Sequence, residues 1–489
     1  MKSDPRDPSS NGARLIKNCD PITHPYSVEL NRSSEDGNDT PTTEISNFLE
    51  INGDLYGLGI NGSGLTQVSK KTTFNDAVWA NSGAANSGNK APVDKNLFVA
   101  YVYGGSTYIY GTQGSGAGGE IWEYNISGAG WTNTDVAINF ASGRVSNGVV
   151  HSQDDKLYVG YENKVIRNNA GTWTDPVLTL PANYYITSLF EYGNLLGIAC
   201  APISGKQVSR IFFWDRDSTL ATLSDSIDFG DGNLLIAEEY EGYAVGLVVQ
   251  GNRLLVKRAT TQGAEEGSTI EFVFDSAPTL YKKKQKRNDR IYFLMQATLD
   301  GTTHYGVWAI GKNKLGEWYL YLDRTPNNNT DPLSNGLTSF LLIQNSSVEY
   351  MFIAYVDTSS DEHVSKTNDS ALHTATGVLE TTIQRGEPML KKQLEGGAFA
   401  HAPLPSNATV TLKYLTDEDS SFTTFFSNTT EDSLSKDQAN VNAAGDHLPE
   451  YKEIKYRLEF SRSGGIDDPI KITGLETQSD IRSSLSYGK

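Results

Sequence analysis

Apolar positions in this chain come in short runs, and a turn introduces each run. "NGDLYGLG" places one at Leu55, "GGSTYIYG" at Tyr108, "DDKLYVGY" at Leu157 and "YGNLLGIA" at Leu195. "GNRLLVKR" follows at Leu254, "NDRIYFLM" at Ile291 and "SSVEYMFIA" at Met351. Gly, Asn, Asp or Ser just before an apolar strand is hairpin grammar, because these residues accept the backbone angles of a tight reversal. The intervals run from 37 residues (Leu254 to Ile291) to 60 (Ile291 to Met351), close to the length of a four-stranded propeller blade. A further match at Leu234, in "DGNLLIAEE", blurs the count.

The tryptophans fall into the same repeat. Trp131 ends "SGAGW", Trp173 ends "NAGTW" and Trp318 ends "KLGEW", each just after a turn glycine. Trp122 in "EIWEYN", Trp214 in "IFFWDRD" and Trp308 in "GVWAIG" sit in the strand before a turn. A large flat ring buries much area at little entropic cost, so these six positions suit the wedge between neighbouring blades. A single four-stranded sheet cannot bury both faces, and a closed ring of such sheets can. The pattern predicts an all-β chain with roughly seven blades over residues 45–377. An irregular two-sheet β fold is the competing reading.

The ends differ from the middle. Residues 1–44 contain "DPRDPSSNG" and "NRSSEDGNDTPTT", polar and without periodicity. They read as an extended N-terminal arm, either a disordered tail or a segment that orders on a neighbouring subunit. Over residues 378–489, "ATVTLKYLTD", "EYKEIKYRLEFSRSG" and "DPIKITGLETQ" alternate apolar and polar residues at period two. Strands with one buried face do this, so a small β-sandwich-like domain is expected. "TTFFSNTTEDSLSKDQANVNAAGDH" reads as a long polar loop between its strands and as a contact site for another protein.

Composition narrows the function. The formal net charge of -18 argues against a basic nucleic-acid-binding face. Two cysteines, Cys19 and Cys200, are too few for a disulfide framework, and a reducing cytoplasm fits them. No apolar secretory segment opens the sequence, and no run approaches the length of a membrane span, so membrane insertion is not expected.

Candidate chemistry is sparse. His24, His151, His304, His363, His373, His401 and His447 form no HExxH pair, and neither a G-x-S-x-G elbow nor a P-loop occurs. Glycosidase propellers need two carboxylates at a fixed separation, which sequence spacing cannot reveal. "RNNAGTW" and "NISGAGW" share a turn glycine and tryptophan with sialidase Asp boxes but lack their Asp. Asp225, Asp228 and Asp231 in "DSIDFGDGN" are spaced unlike a calcium loop and read as a solvated blade turn. Trp214–Asp215 lacks the Gly-His partner of WD40 repeats. "YKKKQKRNDR" is the exception to the acidic background: Lys282, Lys283, Lys284, Lys286, Arg287 and Arg290 crowd ten residues. On a blade edge it would meet an acidic patch of another subunit, or serve as a solvated rim that protects an edge strand. No catalytic, cofactor-binding or metal-binding residues are assigned.

The phrases "LFEYGNLLGIA", "SRIFFWDRDS" and "SDSIDFGDGNLLIAEE", followed by "ATVTLKYLTDEDSSF", "EIKYRLEFSRS" and "DPIKITGLE", resemble β-propeller virion proteins of tailed bacteriophages, of the tail nozzle or tail-hub type. The resemblance spans roughly residues 45–480. It implies a structural, non-enzymatic virion protein, assembled in the host cytoplasm as a homo-oligomeric ring, often of six copies. Such a ring contacts other tail or adaptor proteins and surrounds the channel used in genome ejection. An acidic lumen lets DNA pass without binding it. The alternatives are a receptor- or collar-type protein gripping host surface glycan and, further off, a propeller glycoside hydrolase.

Overall fold

The computed structural model describes residues 13–23, 28–30, 34–36, 44–61, 63–71, 79–83, 85, 96–113, 119–141, 143–204, 208–217, 226–264, 269–287, 289–313, 316, 318–326, 332–345, 348–359, 362–367, 376–381, 383–385, 391–431, 433–462 and 469–481. Among them regular structure is entirely β, and no helix is long and apolar enough to cross a membrane. Contacts divide the chain into two compact units. One comprises Glu35–Val307 with Pro326–Thr367; the other comprises Met1–Ser34, Trp308–Thr325 and Asn368–Lys489.

The first unit is a seven-bladed β-propeller. Its blades begin with Glu44–Ile51, Phe98–Tyr103, Val145–His151, Tyr184–Tyr192, Asn233–Tyr240, Thr279–Arg287 and Pro332–Asn345. Each of these first strands pairs antiparallel with the next strand in sequence. They also touch one another in cyclic order, the seventh returning to the first, so all seven surround one axis. Two-residue turns with both backbone angles positive join many strands, as at Asn52–Gly53 (φ 54° and 87°). A type I′ turn of this kind matches the twist of the strands it connects.

Blade 7 is completed from the other end of the chain. Its sheet runs Pro332–Asn345, Val348–Asp357, Glu362–Thr367 and then Ser34–Asp36. The fourth strand therefore comes from the N-terminal region, and blade 1 follows it directly. Part of the expected arm is the strand that closes the ring.

Six of the seven expected hairpin positions, Leu55, Tyr108, Leu157, Leu195, Ile291 and Met351, fall in the second strand of their blades. Leu254 falls in the third strand of blade 5, Arg253–Thr260, and Leu234 in its first. Blade 5 has two successive tight hairpins, and the same turn chemistry opens both, so local grammar could not say which strand was which.

Cores form between blades. Tyr110 of blade 2 meets Trp173 of blade 3 edge-on, with ring centroids 5.5 Å apart, inside a cluster shared by both sheets. Tyr158 of blade 3 meets Trp214 of blade 4 at 5.9 Å and 88°. Trp131 packs edge-on to Tyr124 at 5.2 Å where blades 1 and 2 meet. Trp79, outside both expected tryptophan slots, is 1% exposed and stacks on Phe48 at the junction of blades 7 and 1. Trp122 is half-buried in the third strand of blade 2. Trp308 is fully buried, and Trp318 lies half-buried under Lys312; both residues belong to the second unit.

The second unit has the two sheets of a β-sandwich. One runs, in hydrogen-bonded order, Trp318–Arg324, Ala13–Lys17, Thr376–Thr381, Glu453–Arg462, Ala408–Thr416 and Thr423–Asn428. The other runs Cys19–Asp20, Val28–Leu30, Lys471–Ile481, Lys392–His401 and Ser435–Ala439. Ala408–Thr416 alternates buried and half-buried side chains along its whole length, the period-two pattern of a one-sided strand. Residues 13–30 thus contribute strands where an unstructured or trans-ordering arm was expected. The polar segment 423–447 carries two strands rather than one loop.

Candidate functional site

The most charged stretch of the chain lies at the propeller axis. Lys282, Lys283, Lys284, Lys286 and Arg287 all belong to Thr279–Arg287, the first strand of blade 6. The run was expected on a blade edge: Thr279–Arg287 is an edge of its sheet, the innermost one, and its cations find partners within the chain. Arg290 begins the next strand and pairs with Asp289 at 3.3 Å. Lys283 is buried and also has partners.

Lys284 Nζ reaches Glu238 Oε2 of blade 5 at 2.9 Å, and its side chain is 7% exposed. It also donates to the carbonyls of Leu189 in blade 4, at 2.9 Å, and of Ala237 in blade 5. Burial pulls its pKa below the usual lysine value, and Glu238 opposes that pull. Lys286 pairs with Glu239. Arg287 pairs with Glu349 of blade 7 at 2.9 Å and donates to Gln344 at 2.8 Å. Lys282 crosses the axis to the carbonyl of Gly143, just before blade 3. One basic strand therefore ties together carbonyls and carboxylates of blades 4, 5 and 7 and the connector before blade 3. Clustered positive charge is stable at this depth because each ammonium replaces lost hydration with hydrogen bonds and counter-charge.

Side-chain bonds also stitch neighbouring first strands. Asn147 of blade 3 donates to the Leu189 carbonyl and accepts from its N–H, both at 2.9 Å. Gln285 of blade 6 makes the same pair with Leu342 of blade 7, both at 2.7 Å. Thr187 donates to the Leu234 carbonyl at 2.7 Å, and Thr338 to that of Ile45 at 2.7 Å. These residues sit at or beside register shifts in the first strands, where an extra residue turns a polar side chain toward the next blade. The sequence carried a signal for all of them but Gln285: "ISNFL" at Ile45, "VSNGV" at Val145, "ITSLF" at Ile186 and "LTSFL" at Leu337 are one recurring phrase.

Between blades 3 and 4 lies a second polar cluster. His151 is fully buried; Arg216 Nη1 is 2.8 Å from its Nδ1, and its Nε2 is 3.2 Å from the Leu195 carbonyl. Arg216 also pairs with Asp154 at 3.2 Å, and Asp154 accepts from Tyr158 at 2.7 Å. Burial would raise the Asp154 pKa, but the Tyr158 bond and the charges of Arg216 and Lys156 outweigh it and hold the group below its usual value. The arrangement clamps two blades together.

The remaining candidates are scattered. Asp225, His24 and His373 lie outside the described residues. Asp228 and Asp231 flank Lys257, whose Nζ donates to the Phe229 carbonyl at 2.6 Å. His363 pairs with buried Asp357 at 3.0 Å in blade 7, and His401 bonds Asn428 at 2.8 Å in the sandwich. His304 is buried with partners, and His447 bridges to Val441. In the turns that share Gly and Trp with Asp boxes, an Asn side chain caps the turn three residues before the glycine. Asn125 Oδ1 accepts from Gly128 N–H at 2.9 Å, and Asn168 Oδ1 from Gly171 N–H at 2.8 Å. Among the described residues no three His, Cys, Asp or Glu side chains are grouped to hold a metal. Cys19 and Cys200 are both buried and free, and burial pushes both thiols up.

No protein-family model matches the chain, and no curated protein matches it. Among solved structures it is similar to the WD40 β-propeller domain of Doa1, with 10% identity, TM-score 0.40, and coverage of 69% of this chain and 98% of that one. It is similar to the Trypanosoma rangeli sialidase solved with sialic acid, with 11% identity, TM-score 0.34, and coverage of 95% and 96%. A glycoside hydrolase matches with 10% identity, TM-score 0.31, and coverage of 90% and 99%.

Proposed function

We propose that this chain is a structural, non-catalytic virion protein of a tailed phage, one copy of a tail nozzle or hub ring around the genome-exit channel. The observation that carries the reading is the bonding between innermost strands at the axis. In a propeller that acts on a ligand, the axial mouth is where loops from every blade converge. Here Lys284 bonds Glu238 and the carbonyls of Leu189 and Ala237, tying the innermost strands of blades 4, 5 and 6 together, which suits a rigid building block. The DNA path then runs between copies of the chain rather than through any one propeller. A net charge of -18 favours such a lumen, since like charge keeps DNA from adhering as it passes. The partners in this reading are further copies of the chain and neighbouring tail or adaptor proteins.

Quantitative mass spectrometry of gradient-purified phage particles tests it. The expected result is this chain at several copies per particle, in fixed ratio to the other tail proteins. Its absence from particles that contain the capsid and remaining tail proteins would overturn the reading.

A further inference from the structure

His151 ends the first strand of blade 3, its side chain fully buried against blade 4. Two N–H donors point at its Nδ1: Arg216 Nη1 at 2.8 Å and the Gln153 backbone at 3.3 Å. Its Nε2 lies 3.2 Å from the Leu195 carbonyl, which only accepts. Donors on one nitrogen and an acceptor on the other fix a neutral ring with its proton on Nε2. A third neighbour of Nδ1 is Glu191 Oε1 of blade 4, 3.7 Å away, which accepts the Ser152 N–H. The other charged groups around the pair are Asp154, 3.2 Å from Arg216, and Lys156, 3.5 Å from Asp154. Arg216 also donates to the Asn194 carbonyl at 2.9 Å and has a left-handed φ of 73°. A residue with a side chain keeps such a backbone only while its surroundings hold it there.

We infer that His151 is a proton-operated latch: a proton on Nδ1 releases it from Arg216, gives it to Glu191 and loosens residues 215–217. The proton takes the lone pair that both donors use, so N–H faces N–H and imidazolium faces guanidinium. Glu191 is the nearest carboxylate, and it forms a charge-assisted bond to the imidazolium once Arg216 withdraws. Asp154 is held below its usual pKa and stays ionised, so Arg216 keeps that partner and the Asn194 carbonyl. The two blades therefore stay docked. One charged contact replaces another, so the step is local and the melting temperature holds through it. Histidine changes charge between about pH 8 and pH 5, and that is the window of the latch. The latch stands whether or not the chain belongs to a phage tail.

Imidazole nitrogen NMR and segmental hydrogen exchange of the full chain, each at about pH 7.5 and about pH 5.5, test the inference. At the higher pH the His151 signals are expected to be those of a neutral ring protonated on Nε2. At the lower pH they become those of an imidazolium, and residues 209–217 exchange about tenfold faster once the chemical rate at each pH is corrected for. His151→Gln identifies the signals by their loss. Its amide accepts from Arg216 and donates to the Leu195 carbonyl but takes up no proton, so exchange in this variant should be the same at both pH values. If it fails to fold, Glu191→Gln decides: without the receiving carboxylate, the response should need a pH lower by about one unit. A neutral His151 at the lower pH, equal exchange in the parent at both, a response retained in His151→Gln, or one unmoved in Glu191→Gln would overturn the inference.

Discussion

Lys284 of blade 6 and Glu238 of blade 5 meet at 2.9 Å with their side chains only 7% and 17% exposed. Two innermost strands from neighbouring blades are thus joined by charge at the centre of the ring. Such a pair gains little over a well-packed apolar core, but losing one member leaves the other stranded.

Lys284→Met should therefore destabilise the propeller by about 3–5 kcal/mol, because Glu238 and two buried carbonyls lose their donor. Lys284→Met combined with Glu238→Leu should recover part of that loss. Urea titration of the four corner proteins measures the coupling. A single-variant cost below about 1 kcal/mol would show that the axis does not depend on this pair.

Acid should loosen the blade contacts before it dissolves the sheets. The Asp154 and Glu239 pKa values both lie below their ordinary values of 3.8 and 4.5. For Glu239, burial works upward, but the Lys286 bond and the Gly242 N–H outweigh it. A carboxylate with a depressed folded pKa stabilises the protein fully above its unfolded pKa, and the contribution is lost as pH falls through the folded value. The melting temperature should be flat above about pH 5 and fall below about pH 4. Asp154→Asn with Glu239→Gln should start lower and show a shallower fall; an unchanged profile would contradict the assignment.

Trp79→Ala should cost as much as Trp214→Ala, about 3–5 kcal/mol each, since both rings fill closed blade junctions. Denaturant midpoints of the two variants give the comparison. A loss at Trp79 below 1 kcal/mol would mean that the junction of blades 7 and 1 collapses around the missing ring.

The repeat was legible because each blade restates one local rule, a turn followed by a short apolar strand, and the tryptophan slots mark the third and fourth strands. The position of the basic run was not. "YKKKQKR" looks like a surface, and only the third dimension brings Glu238, Glu239 and Glu349 to it. The stitching residues were legible in principle, since the phrase at Ile45, Val145, Ile186 and Leu337 recurs, but its polar members resemble ordinary turn residues. The N-terminal strands were beyond local pattern. Ser34–Asp36 is three residues long, and its sheet partner Glu362–Thr367 lies more than three hundred residues away, so nothing nearby in sequence marks the pairing.

Deleting residues 1–36 should leave blade 7 one strand short and remove three strands from the sandwich. The expected product is aggregated or poorly folded, because a propeller with an unpaired edge exposes backbone donors and acceptors. Circular dichroism melting and size-exclusion chromatography report this. A monomeric product with the parental melting temperature would show that the ring closes without Ser34–Asp36.

The most direct test of the account is immunogold electron microscopy of phage particles from the source culture, using antibody to this chain. Gold confined to the tail end or the neck is the predicted result and would distinguish a distal ring from a portal-proximal one. Particles with intact tails and no gold, under conditions where the antibody binds the purified protein, would contradict the structural-ring reading.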